Sequence, residues 1–373
     1  TLILHNPFLH SANIENPEKK TRPKVGLVLS GGGAKGFAYI GLLRVFQEVG
    51  LRVDYIGGTS IGSIMAGLYA IGYSPDDIEK MIREQNWTAL LKDQIQRKYV
   101  AYEEKEFLEN SIISLPFKKR KLGLKQAMYS GQQINLLLNK YFSPAWNISD
   151  FNKFQTPFLC VGTNLFNGDA EVLKHGYLPM AIRSSMSILG YFSPTYFNGY
   201  YLIDGGIVNN YPAVPLKEEG AQLIIGGEVQ STLKDSISQL TTLAEIINQV
   251  VFFHGEDANK EARKVIDLNI RYKVPAGTMD FEKYDIIIAY DDSVARAHYK
   301  ELKALADSLN AIEFRPLKEY NTKPVDSVDI NKVIYEGQEK MSMIYLDNYF
   351  ERFENKRISL DELKHVITRV YGT

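Results

Sequence analysis

A serine set among glycines, Gly58-Thr59-Ser60-Ile61-Gly62, narrows what this chain can fold into more than any other stretch. The apolar run Val53-Asp54-Tyr55-Ile56 precedes it, and a second apolar run extends from Ile64 to Ile71. A G-x-S-x-G pentapeptide between strand and helix is the setting of a nucleophile elbow. Such a turn strains the serine backbone, and only residues without a Cβ let the strand and helix approach so closely. The hydroxyl then projects at a helix N-terminus, where free N–H groups favour developing negative charge. Taken alone, the same five residues also fit a plain small-residue turn.

Upstream, Val25-Gly26-Leu27-Val28-Leu29 reads as a buried strand running into Ser30-Gly31-Gly32-Gly33-Ala34-Lys35-Gly36. Phe37, Ile40, Val45, Phe46 and Val49 then mark one face of a helix that Gly50 ends. A glycine loop between strand and helix can converge its amides on an anion. Three readings compete. A P-loop needs Gly-Lys-Ser/Thr, and Lys35 is followed by Gly36. Gly31, Gly33 and Gly36 fit a dinucleotide fingerprint in form, but Gly57-Gly58-Thr59-Ser60 stands where its acidic residue belongs. An oxyanion hole for acyl transfer is the third reading, and it alone uses the downstream serine.

The third element is Tyr201-Leu202-Ile203-Asp204-Gly205-Gly206. Asp-Gly is common turn chemistry, yet beside the other two elements Asp204 becomes a candidate base. In this order, Gly-Gly-Gly-Ala-Lys-Gly, Gly-Thr-Ser-Ile-Gly and Asp-Gly-Gly resemble the three signatures of patatin-like phospholipases. Ile182-Arg183-Ser184-Ser185 before the aspartate and Val208-Asn209-Asn210-Tyr211-Pro212 after it agree, and the resemblance spans about residues 24 to 310.

The resemblance implies a three-layer α/β/α hydrolase with a mostly parallel central sheet and a Ser–Asp dyad that needs no cofactor. Ser60 is then the nucleophile and Asp204 the general base. Gly31, Gly32, Gly33 and Gly36 form the oxyanion loop, Gly58 and Gly62 shape the elbow, and Gly205 and Gly206 shape the base loop. A carboxylate is a weak base, so an apolar surround must raise its pKa or the oxyanion hole must carry more of the barrier. Tyr200, Tyr201, Leu202 and Ile203 are the expected surround, and Lys35 either adds positive potential or is an exposed helix-start lysine. Met186, Ile188, Leu189 and Phe192 lie in a stretch too apolar for a solvent loop and are candidates for an acyl pocket. The implied substrate is a lipid ester, phospholipid first. A general carboxylesterase or lysophospholipase is the alternative, and a non-catalytic lipid-binding or assembly module is the reading from another class.

The remaining chemistry classes are excluded by what the chain lacks. Its six histidines are His5, His10, His175, His254, His298 and His365, and the three after Asp204 sit in or beside helical runs. No metal-ligand spacing occurs, and Cys160 stands alone in the strand-like run Phe158-Leu159-Cys160-Val161. A net charge of −1 argues against a nucleic-acid partner.

The 373 residues accommodate one large domain and an appendage. Residues 1–23 read as a polar arm, 24–320 as the hydrolase and 327–373 as a small α+β tail. Between Trp87 and Ile148 lies an insertion-like region of polar helices carrying Lys118-Lys119-Arg120-Lys121, a run that could meet anionic headgroups at a membrane surface or simply be a solvated loop. The tail reads as a strand near Val328 and Ile330, a helix from Met341 to Phe353 and another starting at Ser359. That order resembles the first half of a POTRA module. It implies a bacterial periplasmic or outer-membrane setting, with a cytoplasmic one as the alternative. It also implies a tail that packs as its own unit and leans on another chain through its open sheet edge.

Overall fold

The structure is a computed structural model that describes residues 21–95, 127–229, 255–335 and 342–371, with isolated positions within 117–122 and 236–253. The arm's first 20 residues, with His5 and His10, and also His254, lie outside the described residues.

Strand β1, Val25–Leu29, is apolar and buried along its whole length, as a strand covered on both faces must be. Parallel neighbours flank it: β2 (Tyr55–Gly58) on one side and β9 (Leu223–Glu228) on the other. A further parallel strand, β10 (Leu268–Arg271), lies beyond β9. On the other side β5 (Phe158–Asn164) continues the parallel run. The antiparallel strands β6 (Ala170–Leu173) and β8 (Tyr200–Asp204) both pair with β5, and β7 (Thr195–Phe197) pairs with β8. The sheet order is β10-β9-β1-β2-β5-β8-β7, with β6 off this path.

Successive β1 residues enter different cores, because side chains alternate across a strand. Leu27 and Leu29 join the large cluster with Phe46, Met65 and Ile288, from the helices Tyr39–Val49, Ile61–Ala70 and Tyr284–Ala297. Val28 joins Leu216 and Ala262, from the helices Ala213–Glu218 and Gly255–Val265 on the opposite face. The three-layer α/β/α arrangement with a mostly parallel sheet is therefore present as expected.

Elsewhere the expectations need correction. A 3-10 turn, Gly33–Ala38, precedes the first α-helix, so the glycine loop tightens before it becomes helical. Lys35 within it is buried, so it is not an exposed helix-start lysine. Of the basic run, Lys118 lies in β3 (Phe117–Lys118) and Lys121 in β4 (Lys121–Leu122), which pair antiparallel, whereas Lys119, Arg120 and the side chains of both strands lie outside the described residues. In the tail, β11 (Ser327–Ile330) pairs antiparallel with β12 (Lys356–Ser359), a strand between the two helices that the sequence pattern did not reveal. The tail helices are Met343–Phe350 and Leu360–Tyr371, and Phe353, Ile358 and Val366 give the unit a core of its own. Its strands stay out of the central sheet.

The elbow depends on close backbone approach. A Cβ on Gly58 would collide with the Gly62 backbone and stand 2.8 Å from the Ser63 nitrogen. One on Gly62 would collide with the Leu29 carbonyl oxygen and stand 2.7 Å from that of Ser30. Gly62→Ala must push helix and strand apart, an overpacking cost of about 1–3 kcal/mol. Denaturant unfolding should show that loss, and an unchanged midpoint would contradict the packing described.

Candidate active site

Register brings the candidate residues to one level. Gly58 lies opposite Cys160, and two residues further along β5 Gly162 lies opposite Asp204. Ser60, two residues beyond Gly58, therefore arrives beside Asp204. Its Oγ donates a hydrogen bond of 2.7 Å to Asp204 Oδ2. The serine backbone has φ 55° and ψ −126°, a region that L-residues avoid. Three bonds fix it there. The Ser60 amide donates to Ser185 Oγ at 3.0 Å, and its carbonyl accepts from Ser63 Oγ at 2.6 Å and from the Ser63 amide at 2.9 Å.

The loops lock to one another through groups that the sequence pattern left without a role. Thr59 Oγ1 donates to the Asn209 carbonyl at 2.9 Å. The Gly31 amide donates to the Asn210 carbonyl at 3.2 Å, and Asn210 Nδ2 donates back to the Gly31 carbonyl at 3.2 Å. This places the glycine loop over the serine: a Cβ on Gly31 would stand 3.1 Å from Ser60 Cβ. The Gly31 amide is thus spent on Asn210, and Gly36 serves packing, since a Cβ there would press into Ile61. The Gly31 amide is therefore committed within the protein, which narrows the four-glycine expectation. Among the described residues the amides of Gly32 and Gly33 donate to no protein atom, and they remain the candidate donors.

Asp204 is only 4% exposed, and both of its carboxylate oxygens accept hydrogen bonds, Oδ1 from the Gly206 amide at 2.8 Å. Burial pushes its pKa up from 3.8 to about 6, although the bonds from Gly206 and Ser60 pull the other way. The expected surround is half right. Leu202 and Ile203 are buried, but Tyr200 and Tyr201 face solvent. The close neighbour on the other side is β5: a Cβ on Gly205 would collide with the Val161 carbonyl oxygen. Among the described histidines, His175 pairs with Asp150, His298 with Glu301, and His365 is exposed on the tail. Cys160 is buried in β5 as core.

Ser60 and Gly33 stand in the wall of an apolar cleft. Met186, Ile188 and Phe192 line it as expected, whereas Leu189 is 47% exposed and does not. Most of the wall comes from elsewhere. Ile61, Ile64, Met65 and Leu68 form one stripe of the elbow helix. Ile134, Leu137, Leu138 and Tyr141 form another on the helix Gln132–Tyr141, from the insertion-like region that read as polar. Phe37, Trp87 and Phe281 close the side as an aromatic cluster with centroids 5.1–5.7 Å apart.

The arrangement is a serine hydroxyl bonded to a buried carboxylate, beside free amides, at an apolar cleft. Residues 27–217 match the family model described as patatin-like phospholipase, more than half of the chain. The chain belongs to that family. A patatin-like phospholipase domain-containing protein of Caenorhabditis elegans is 32% identical over 60% of this chain and 15% of its own length. Neuropathy target esterase sws of Drosophila melanogaster is 32% identical over 62% of this chain and 14% of its own. For the lysophospholipase NTE1 of Scheffersomyces stipitis the figures are 32%, 61% and 13%. The chain thus spans 13–15% of the length of these three relatives. Among solved structures, VipD from Legionella pneumophila superposes with a TM-score of 0.39 at 16% identity, covering 75% of this chain and 68% of that one.

The raised carboxyl has a stability consequence of definite sign. The folded state holds the Asp204 proton more tightly than the unfolded chain, so this group's contribution is most favourable below about pH 3.8. It is lost as pH rises toward 6. Moving the carboxyl that far costs on the order of 3 kcal/mol at neutral pH. Asp204→Asn should therefore raise the unfolding midpoint at pH 7.5 and do so less at pH 4. A destabilised variant at pH 7.5 would contradict the burial account.

Proposed function

We propose that this chain is a lipid acyl hydrolase of the phospholipase A or lysophospholipase type, with Ser60 as nucleophile and Asp204 as its sole general base. The observation that carries the reading is the 2.7 Å hydrogen bond to a buried carboxylate of raised pKa from Ser60 Oγ, in the wall of an apolar cleft. Asp204 accepts the hydroxyl proton as Ser60 Oγ attacks the ester carbonyl. The carbonyl oxygen gathers negative charge, and the amides of Gly32 and Gly33 supply the hydrogen bonds it needs. Asp204 then returns the proton to the departing alcohol, leaving an acyl group on Ser60. Water attacks that ester, its proton passes to Asp204 and on to Ser60 Oγ, and the fatty acid leaves.

The relative named as a lysophospholipase favours single-chain lipid esters for this chain, and the patatin-like phospholipase family model keeps phospholipids beside them. A non-catalytic lipid-binding module would have no use for a serine held at positive φ. The same reading places the cleft mouth against a lipid surface, with the basic hairpin as an added headgroup contact. The tail as part of a POTRA module, with self-association and a periplasmic or outer-membrane setting, rests on sequence order alone. To that order the fold adds a strand between the helices.

Ser60→Ala should abolish hydrolysis of lysophospholipid and of short esters while leaving the chain folded. Asp204→Asn should lower kcat by a factor on the order of a hundred or more. His254→Ala and His298→Ala should each stay within about threefold of the parent. His254 is the informative control, because the next residue, Gly255, packs on the base loop, a Cβ there standing 2.9 Å from the Gly206 carbonyl oxygen. A His254→Ala variant as inactive as Asp204→Asn would replace the dyad with a triad. For the parent, kcat/KM should fall tenfold per pH unit below about pH 6, where the base is protonated. Full activity at pH 4 would remove Asp204 from the mechanism.

A further inference from the structure

The cleft has a direction and an end. Its two helical walls start at the catalytic side. The elbow helix begins at Ser60, whose amide is held by Ser185. Two residues before Ser185, Arg183 donates to the Ser130 carbonyl at 2.9 Å, just ahead of the helix Gln132–Tyr141. Their far ends are joined as well. The Tyr73 amide bonds the Leu68 carbonyl at 3.1 Å, and the Tyr73 hydroxyl bonds the Tyr141 carbonyl at 2.8 Å. The helices therefore run side by side in the same direction, each presenting lining residues at i, i+3, i+4 and i+7. From Ile61 to Leu68 that stripe is about 10 Å long.

At its far end the apolar wall stops. Gln85 Nε2 donates to the Tyr141 hydroxyl at 3.1 Å and to the Met81 carbonyl at 2.8 Å, and Gln85 itself is half-buried. Among the described lining residues the other polar side-chain group apart from Ser60 is the Trp87 Nε1–H, which donates to the Ile82 carbonyl at 3.0 Å. A chain that grows past Leu68 must break the Gln85–Tyr141 pair or bend back, leaving an amide or a hydroxyl without its partner.

We propose that the cleft measures the acyl chain, with the Gln85–Tyr141 pair as its terminal stop and a medium-length acyl ester, about ten carbons, as the preferred substrate. The length follows from the rise of about 12 Å between Ser60, where the ester carbonyl is held, and Leu68, and from an advance of about 1.25 Å per carbon for a zigzag chain with bonds near 1.5 Å. The inference rests on the reading of Ser60 as the nucleophile at the stripe's near end, so the test has one arm that needs catalysis and one that does not.

In the first arm, kcat/KM is measured for 4-nitrophenyl esters from four to sixteen carbons, each at a fixed mole fraction in detergent micelles. It should climb about fourfold per methylene, the equivalent of about 0.8 kcal/mol per buried CH₂, and then break near ten carbons. In the second, saturated fatty acids of the same lengths are titrated against the fluorescence of Trp87, which lines the cleft, and the affinity should break at the same length. Gln85→Ala should move both breaks to longer chains, raising the fourteen-to-ten-carbon ratio about tenfold. Leu68→Trp, which fills the far end, should move them to shorter ones. A climb that continues to sixteen carbons in the parent, or breaks that stay in place in both variants, would overturn the proposal. Breaks in the fluorescence series without hydrolysis at any length would instead leave the ruler standing and remove the catalytic reading.

Discussion

The backbone contact between Gly58 and Gly62 is the constraint on which the rest depends. It lets the elbow helix press against β1 and β2 closely enough that Ser60 has no relaxed conformation to adopt. The serine is held at positive φ by its neighbours rather than by its own preference, and a strained residue persists only when its surroundings over-determine it. Here the surroundings are Ser63 behind it, Ser185 above its amide and Thr59 tied to the Asn209 loop. Displacing any one of them loosens both the strain and the serine's aim at Asp204.

Asp204 carries the opposing demand. A carboxylate useful as a base near neutral pH must be kept from water, and burial that raises its pKa to about 6 also works against the folded state. The fold offsets this in two ways. Gly206 donates to the oxygen that Ser60 does not use, and β5 packs so tightly on the base loop that a side chain at Gly205 has no room. The same dryness extends to the cleft, whose wall beyond Ser60 is almost wholly aliphatic and aromatic.

How much of this was legible follows from how local each constraint is. The elbow, the glycine loop and the base loop could be read because their glycines are demanded by nearby backbone, and local demands leave short motifs. The division of labour within the glycine loop could not, since what commits Gly31 is Asn210, far along the chain. The cleft was legible only at Met186, Ile188 and Phe192. Its main stripes, at 61, 64, 65, 68 and at 134, 137, 138, 141, follow the spacing of any buried helix face, and periodicity is the same whether that face meets a core or a cavity. Leu189 was misplaced because apolar composition does not say which way a residue points. In the tail, Lys356-Arg357-Ile358-Ser359 hides a strand, with one buried residue too few to show alternation.

The proposed mechanism has Ser60 activated by Asp204 and by no other group. The most direct measurement is the rate of covalent labelling by a fluorophosphonate as a function of pH, with the modified residue located by peptide mass. A single adduct on Ser60 is expected, its rate rising through an ionisation near pH 6 and becoming slow and pH-independent across that range in Asp204→Asn. An adduct on another residue, or the same pH 6 ionisation surviving in Asp204→Asn, would contradict it.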